Sequence, residues 1–229
     1  MDVPLDELDT TPLEDEFKKV GKEFNKAVMK NLKLLGENNG IEYPTKGLLI
    51  LLGYYHHVQI KCSRIKGKMG QVFIDRKEYE GNIFSQLKKT EQFIKNFIYL
   101  KGEIKGLQRI DRFEIPEEAI RESLLNAVVH RDYSNYGRDI KVGIYDDMIK
   151  IISPGGFPST ITQQDIFEGR SEIRNRVIAR VFKELNYIEQ WGSGIRRIIS
   201  SSLSYGLKTP QIMEKGDFVE VILYRDPIQ

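Results

Sequence analysis

The 229-residue sequence has a single cysteine, Cys62, and no long hydrophobic run. One thiol cannot build a disulfide framework or a cysteine-rich zinc site within one chain, so a reducing compartment is expected. The longest apolar run, GLLILLGYY, is too short to span a bilayer. The acidic start MDVPLDELDTTPLEDEF also lacks the basic and then apolar order of a signal peptide. We therefore expect a soluble, cytoplasmic protein without a membrane partner.

A strong excess of either charge is also lacking. The sequence has 35 Lys and Arg against 33 Asp and Glu, a net charge of +2. The molecule as a whole therefore has no strong field that would attract nucleic acid. Its densest basic stretch contains Lys61, Arg64, Lys66 and Lys68. This stretch fits either a solvated strand end and loop or a track for a nucleic-acid backbone, so any such contact must be local.

The motif G-x-x-x-x-G-K-[ST] is absent as well. Its absence argues against a P-loop nucleotide site and therefore against a P-loop helicase motor. With 40% hydrophobic residues, the chain can bury the core of one large domain or of two small ones. Neither an internal repeat nor a low-complexity tract is present.

Hydrophobic spacing predicts a mixed α+β fold. A long helix is predicted from Thr11 to about Gly36, opened by a capping box at Thr11, Pro12 and Glu14. Further helices are predicted at residues 83–98, after Pro116, at 177–185 and directly after Gly194. Strands are predicted at residues 58–64, 72–75 and 217–225, with a hairpin at 139–153.

The helix that Pro116 opens carries a polar stripe of Glu122, Asn126 and His130, spaced four residues apart. At about 100° per residue, these side chains lie on one side of the helix, while most of the remaining circumference is apolar. A helix with so much apolar surface is buried, so the stripe is expected to face a wet pocket. The alternative is the solvated face of an ordinary surface helix.

Two glycine-rich stretches follow this helix. The stretch SPGGFP, residues 153–158, ends the predicted hairpin and indicates a loop with a close backbone approach. Gly192, Ser193 and Gly194 lie where the last predicted helix begins. Unpaired amides and the positive end of the dipole make a helix N-terminus an anion site. An isolated G-x-G is equally compatible with a flexible N-cap.

The order of these elements resembles the Bergerat-type ATP-binding fold of the GHKL superfamily, which includes gyrase, MutL and the histidine kinases. More closely, nearly the whole chain is similar to bacterial and archaeal RecG-related proteins described as ATP-dependent helicases or transcriptional regulators. The segments that carry this similarity are PTKGLLILLG, FIDRKEYEGN, EIPEEAIRESLLNAVVHRDYS, IISPGGFP and RNRVIARVFKELNYIEQWGSGIRRI. The resemblance implies a C-terminal two-layer α/β sandwich of the Bergerat (GHKL ATPase) type at residues 113–229, preceded by a smaller α+β region at residues 1–112.

The resemblance also implies roles for individual residues. Asn126 takes the position of the asparagine that holds Mg²⁺ against the ATP phosphates, and Glu122 takes that of the general base in hydrolysing members. Gly155 and Gly156 fall in the first glycine box, beneath the adenine, and residues 192–194 fall in the second, around the phosphates. An amide oxygen is a hard, neutral ligand for Mg²⁺, and a carboxylate four residues away projects from the same face.

Three departures from the superfamily pattern bear on the function. Ser153 stands where the superfamily has an aspartate that hydrogen-bonds the adenine amino group, and a serine is shorter and uncharged. The stretch at 159–190, expected to form a lid over the nucleotide, is short and helical compared with that of gyrase. No residue is identified as the lysine that a second domain supplies to the γ-phosphate in gyrase and MutL. Slow hydrolysis and no hydrolysis are both open.

Other polar residues have two readings each. His130 is expected either to line the pocket or to be a cation favoured by the C-terminal end of the helix dipole. Arg174 is expected either to contact a phosphate or to lie on the surface, and Asn175 is expected to cap the following helix. His56 and His57 are read as surface or core residues and not as metal ligands.

Two functions follow from these observations. The first is an ATP-binding, Mg²⁺-dependent module of a transcriptional regulator or RecG-related protein, either a slow GHKL-type ATPase or a nucleotide sensor. The second is a nucleic-acid-binding or dimerisation module that keeps the fold but has lost nucleotide binding. In the similar proteins, DNA binding belongs to a Schlafen/AlbA-type domain, here expected upstream of the chain. DNA is therefore expected as a partner through a domain outside the chain, and a homo-oligomer is one expected assembly.

Overall fold

The structure, a computed structural model, describes residues 3–67, 72–105, 107–189 and 193–225 and has a mixed α+β architecture. The helices of these residues are α1 (Thr11–Lys19), α2 (Lys26–Asn31), α3 (Lys46–Leu52), α4 (Ile83–Phe97), α5 (Glu117–His130), α6 (Gln163–Phe167), α7 (Arg176–Glu184) and α8 (Gly194–Ser204). The strands are β1 (Leu35–Asn38), β2 (Ile41–Pro44), β3 (Ile60–Lys66), β4 (Val72–Tyr79), β5 (Leu100–Lys105), β6 (Gln108–Phe113), β7 (Ile140–Ile144), β8 (Met148–Pro154), β9 (Gln211–Glu214) and β10 (Phe218–Tyr224).

A six-stranded mixed sheet, in the order β4-β3-β7-β8-β10-β9, is the framework of the fold. Its strands pair antiparallel except for β3 and β7, which run parallel from the pair Ile60 and Ile140 onward. A parallel pair needs a long crossover, and the crossover here contains α4, the β5–β6 hairpin and α5. Because β3 and β4 precede residue 112, one sheet spans both sides of the boundary expected at 112/113.

The core lies between this sheet and a layer of helices. Burial alternates along β7, where Ile140, Val142 and Ile144 are buried and the residues between them are not, as expected for a strand with one covered face. Helix α5 contacts β8 and β10 on one side and α8 on another. Nine of its residues are buried, which agrees with the buried helix predicted from its apolar circumference.

Most of the predicted elements are confirmed. The strands β3, β4 and β10, the β7–β8 hairpin and the helices α4, α5, α7 and α8 lie where hydrophobic spacing placed them. Helix α3, the β1–β2 and β5–β6 hairpins and strand β9 were not predicted, and α6 was expected only as part of a helical lid at 159–190. Among the described residues, no helix has the length and apolar character needed to cross a membrane.

The long N-terminal helix is a wrong prediction. Helix α1 ends at Lys19, and the chain then turns at Gly21, which has a positive φ of 70° that favours glycine. A new helix, α2, begins at Lys26, and the side chain of its N-cap residue Asn25 accepts a hydrogen bond from the Val28 amide at 3.1 Å. The expected capping box is absent too, because the Thr11 amide donates to Asp9 Oδ1 at 3.0 Å. The sequence predicted one helix because apolar residues continue at helical spacing across the break between α1 and α2.

Candidate functional site

A pocket opens between α5, the start of α8 and the ends of β8 and β10. Its cavity volume is about 150 Å³. Its lining includes nine residues that the sequence singled out: Glu122, Asn126, His130, Ser153, Gly155, Gly156, Arg174, Ser193 and Gly194. Gly192, the tenth, lies outside the described residues. The fold thus brings four separate stretches of the sequence to one cavity.

The polar stripe of α5 forms one wall of the pocket. The apolar positions of this helix pack into the core, so the stripe is turned toward the cavity and not toward bulk solvent. Asn126 Nδ2 is buried and has no hydrogen-bond partner. A buried polar atom without a partner is costly, and its position in a pocket marks it as available to a ligand.

Glu122 is buried in the pocket, with 4% of its surface exposed. Arg121 Nη1 donates a hydrogen bond to Glu122 Oε1 at 2.8 Å, and Arg197 Nη1 lies 3.5 Å from the same oxygen. Burial raises the pKa of the Glu122 carboxyl above its usual value, and the two guanidinium groups oppose this shift. The pocket therefore holds an oriented carboxyl group with an increased affinity for a proton.

His130, at the last position of α5, lines the pocket and is neutral near pH 7. Burial is the largest cause that lowers its pKa to about 4, and the nearby positive charge of Arg174 acts in the same direction. A hydrogen bond to the backbone of Glu172 opposes the shift. Of its two readings from the sequence, the structure favours a pocket residue over a cation stabilised by the helix dipole.

The loop after β8 is tied to its surroundings through its backbone and through Ser153. The Ser153 hydroxyl donates a hydrogen bond to the Ala127 carbonyl at 2.7 Å, which attaches the strand end to α5. The Gly155 amide donates to the Asp217 carbonyl at 2.8 Å. Gly155 has a φ of +98°, a backbone conformation that residues other than glycine rarely adopt.

Side chains of this chain occupy the space beside both loop glycines. A Cβ added at Gly155 would lie 2.7 Å from Arg174 Nη1, and one added at Gly156 would lie 2.5 Å from Glu214 Oε1. Arg174 Nη2 donates to the Gly156 carbonyl at 2.6 Å, and the Phe157 amide donates to Glu214 Oε2 at 2.8 Å. The close backbone approach expected from SPGGFP is therefore made, in this structure, by Arg174 and Glu214.

Helix α8 begins against the polar stripe. A Cβ added at Gly194 would lie 3.0 Å from Glu122 Oε2 and 3.1 Å from Asn126 Nδ2. Glycine at this position therefore lets the start of α8 approach both side chains closely. Ser193 is the N-cap residue, but its side chain does not cap the helix, because its Oγ accepts a hydrogen bond from Arg197 Nη2 at 2.6 Å.

Arg197 is a pocket residue that the sequence reasoning missed. Its guanidinium group contacts Glu122, Glu189 and Ser193 at the edge of the cavity. The signal was present, since Arg197 follows Ser193 by four residues and such positions lie on the same face of a helix. The partnership with Glu122 was not readable, because it joins residues 75 positions apart, at 122 and 197.

Asn175 holds the N-cap position of α7 as predicted, but its side chain makes no capping hydrogen bond. Its Nδ2 donates to the Val129 carbonyl at 2.8 Å and to the Arg131 carbonyl at 2.7 Å. Both carbonyls lie at the C-terminal end of α5, where helix carbonyls lack partners within the helix. Asn175 therefore fastens the start of α7 to the end of the helix that carries the polar stripe.

The rest of the pocket wall is mostly apolar and comes largely from the stretch expected to be a lid. This stretch, 159–190, contains α6 and α7, and the sequence anticipated its helical character. Its residues Ile161, Ile166 and Ile173 face the cavity together with Ile212 and Val221 from the sheet. The pocket thus joins an apolar chamber to a polar end formed by α5 and α8, a composition typical of small-molecule sites.

The described part of the basic stretch at 61–68 lies on β3, beside the edge strand β4, and is partly paired. Lys61 Nζ is 3.1 Å from Asp139 Oδ2, and Arg64 Nη2 is 2.5 Å from Asp146 Oδ1. Lys66 is exposed at the end of β3, and Lys68 lies outside the described residues. Two of its four cations therefore already have carboxylate partners, which favours the reading of a solvated strand end.

Comparison with known proteins bears first on the C-terminal part of the chain, which contains the glycine loop and α8. Residues 137–223 match the family model described as "Putative ATP-dependent DNA helicase recG C-terminal", whose name marks an ATPase-like domain. This part of the chain is similar to the C-terminal region of RecG-related proteins. The match confirms the resemblance to RecG-related proteins for these residues, which include Ser153, Gly155, Arg174 and Gly194 but not the polar stripe of α5.

The chain also resembles a solved structure. The DIP2311 protein from Corynebacterium diphtheriae matches with a TM-score of 0.82 and 23% sequence identity, over 97% of this chain and 46% of that one. At this identity the likeness shows the fold alone. The chain spans about half the length of that relative, at 46%. No curated protein matches the chain.

Proposed function

We propose that the pocket binds a magnesium nucleotide, with ATP as the ligand, on a domain of the Bergerat (GHKL) type. One observation carries the proposal: the polar stripe, the glycine loop and the start of α8 line the same cavity, and Asn126 Nδ2 lies in it without a partner. The ATPase-like family match over residues 137–223 supports the same assignment. The apolar chamber suits a base, and the polar end with the N-terminus of α8 suits phosphates.

Asn126 fits the role of a metal-holding residue. Its amide can present either the nitrogen or, after rotation by about 180°, the oxygen to the cavity, and an amide oxygen is a suitable ligand for Mg²⁺. Among the described residues, no group of three His, Cys, Asp or Glu side chains could hold a metal by itself. This agrees with Mg²⁺ chemistry, since the ion commonly takes one or two protein ligands and completes its shell with phosphates and water. When bound, Mg²⁺ would neutralise phosphate charge.

Glu122 is the proposed general base. Its carboxyl group is oriented by Arg121 and Arg197, and burial raises its pKa toward the range in which a carboxylate accepts a proton effectively. Ser153 is proposed to lie near the base of the nucleotide. Because its hydroxyl hydrogen is used by Ala127, Ser153 offers a lone pair to a ligand donor and cannot itself donate.

The surrounding organisation is proposed in the same terms. Residues 113–229 form the nucleotide domain and residues 1–112 form an α+β region that lends β3 and β4 to its sheet. As a module of a transcriptional regulator, the chain would reach DNA through an upstream domain, and it would work in the cytoplasm. Homo-oligomers are part of this proposal.

A second candidate function is supported by the crowding at the glycine loop. Arg174 and Glu214 fill the space beside Gly155 and Gly156. If they do not move, the fold acts as a nucleic-acid-binding or dimerisation module without a nucleotide. The pairing of Lys61 and Arg64 with carboxylates argues against the nucleic-acid part of this alternative.

A thermal melt with and without Mg-ATP decides between the two functions. A ligand that binds only the native state, at a concentration of about 100 times Kd, stabilises it by about 2.7 kcal/mol. For a chain of this size the melting temperature should rise by several degrees. An unchanged melting temperature at millimolar Mg-ATP would favour the second candidate, and light scattering of the same sample would report whether it is a dimer.

A further inference from the structure

We propose that Arg197 contacts the terminal phosphate of a nucleoside triphosphate in this pocket, and that Glu189 is the partner it leaves to do so. The inference rests on the proposed function and deepens it, because it names the residue at the polar end of the pocket that would bind the terminal phosphate. Arg197 lies in the first turn of α8, four residues after Ser193, and lines the cavity. Its neighbour Gly194 adjoins Asn126, so the guanidinium group lies at the same polar end as Asn126.

The other two arginines among the described lining residues already bind other groups of the protein. Arg174 Nη2 donates to the Gly156 carbonyl at 2.6 Å, which holds it to the glycine loop. The Arg170 side chain is 70% exposed and pairs with Asp165 of α6 at 2.6 Å. Arg197 is therefore the lining arginine that combines a place beside Asn126 with the N-terminal end of a helix, where anions are stabilised.

The present partners of Arg197 can be exchanged. Glu189, its ion-pair partner, is 68% exposed, and an ion pair with so exposed a carboxylate contributes little because water screens it. A phosphate offers several charged oxygens, to which a guanidinium group binds in bidentate fashion. Glu122 keeps its hydrogen bond from Arg121 at 2.8 Å when Arg197 turns away, so no buried carboxylate is left without a partner.

Such a movement also explains why Glu122 has two arginine partners. The Coulombic effect of Arg197 is the largest of the influences that lower the pKa of Glu122. When Arg197 turns to a phosphate, this influence weakens and the pKa of Glu122 rises further. The arrival of a triphosphate would therefore make Glu122 a stronger base, whereas a ligand without the terminal phosphate would leave Arg197 on the carboxylates.

The proposal is tested by titrating Mg²⁺ with ATP, ADP or adenosine into wild type and Arg197→Gln. Wild type should bind ATP more tightly than ADP. The variant should bind ATP roughly tenfold or more weakly, the scale of one hydrogen bond to a charged group, while ADP and adenosine binding stay within about twofold. Arg196→Gln is the matched control, because Arg196 is exposed, donates to the Glu168 carbonyl and does not line the pocket.

Two further variants separate a contact from a structural effect. Arg197→Lys should keep part of the preference for ATP, because a lysine retains the charge but not the fork of donors. Glu189→Gln should strengthen ATP binding, because the phosphate no longer competes with a carboxylate. Equal losses for ATP, ADP and adenosine in Arg197→Gln, or an unchanged preference for ATP, would overturn the inference and leave the proposed function standing. If wild type binds none of the three, the proposed function fails and the inference fails with it.

Discussion

Burial disfavours the charged forms of two side chains of α5, Glu122 and His130. Burial raises the pKa of Glu122 and lowers that of His130, so both shifts are toward the neutral form. Their neighbours act in opposite directions, since Arg121 and Arg197 favour the charged carboxylate whereas Arg174 disfavours a charged imidazole. The pocket therefore holds a carboxyl group of increased proton affinity, contacted by two guanidinium groups, and an imidazole that is neutral near pH 7.

Glu122→Gln should separate binding from hydrolysis. The amide keeps the shape of the carboxylate and can still accept the hydrogen bond from Arg121, so Mg-ATP affinity should stay nearly unchanged. Any phosphate release should fall by about a hundredfold or more, the usual contribution of a positioned base. Glu118→Gln, on an exposed position of the same helix, is the control. Equal phosphate release in wild type and Glu122→Gln would mean that Glu122 serves only to hold Arg121 and Arg197.

His130 should make the free energy of unfolding depend on pH below neutrality. The folded pKa is about 4 against an ordinary value of 6.5, so the unfolded chain takes up a proton first as the pH falls. The associated stability is complete above pH 6.5, is lost progressively below it, and stops changing below about pH 4. Between pH 7 and pH 5 the loss should be about 2 kcal/mol.

Urea unfolding at pH 7 and pH 5 measures this loss in wild type and in His130→Gln. Other groups titrate in both proteins, so the difference between the two pH dependences isolates His130. If the two proteins lose the same stability, the histidine is not buried as neutral imidazole and the assignment of His130 to the pocket wall is wrong.

At the scale of elements, the pocket depends on how α5, the glycine loop and α8 are fixed to one another. Ser153 joins β8 to α5, and Asn175 joins α7 to the end of α5, each through hydrogen bonds to backbone carbonyls. The pattern of α5 was readable in the sequence because its polar positions interrupt an otherwise apolar circumference. The hydrogen bonds of Ser153 and Asn175 could not be predicted from the sequence, because they join side chains to backbone groups distant in sequence.

A buried ion pair anchors the last strand of the sheet to the start of α5. Glu114 Oε1 accepts hydrogen bonds from Arg225 Nη2 at 2.6 Å and Nε at 3.0 Å, and from the Tyr99 amide at 2.9 Å. Both charged side chains are 1% exposed. Arg225 also donates to the Tyr145 carbonyl at 2.6 Å, so a single guanidinium group connects four parts of the fold.

Arg225→Met should therefore be strongly destabilising. It leaves the Glu114 carboxylate buried without its cation, which costs about 3–5 kcal/mol in proteins. The double variant Glu114→Gln and Arg225→Met removes the stranded charge and should recover a large part of that loss. Urea unfolding of the two single variants and the double variant measures the coupling. Additive losses, with no recovery in the double variant, would show that the pair does not act as a unit.

At the scale of the whole molecule, the sequence predicted the elements better than their arrangement. Hydrophobic spacing located β3, β4, the β7–β8 hairpin and α5, because each has a regular period of its own. The pairing of β3 with β7 was not predicted, since parallel strands meet through a long crossover that leaves no local pattern. The prediction of one long N-terminal helix was wrong for the opposite reason. Here the local pattern was regular, because an apolar period continued across the turn at Gly21, but the helix was not.

The candidate site likewise has features that the sequence predicted and features that it did not. The α5 stripe, both glycine stretches and Arg174 were chosen from the sequence, and their nine described members line one cavity. Arg197 and Glu189 were missed, because their value lies in contacts with Glu122 and with each other that only the folded chain creates. The filling of the glycine loop by Arg174 and Glu214 was likewise beyond the sequence. Residue chemistry and local spacing therefore pointed to the pocket, and tertiary contacts decide how it works.

The central claim is that this pocket holds a magnesium nucleotide through Asn126, and calorimetric titration of ATP in Mg²⁺ tests it most directly. Wild type should bind, Asn126→Ala should bind much more weakly, and removing Mg²⁺ with EDTA should weaken wild type toward the level of the variant. Asn96→Ala, at an exposed asparagine of α4, should titrate like wild type. Equal ATP affinity in wild type and Asn126→Ala in the presence of Mg²⁺ would contradict the account.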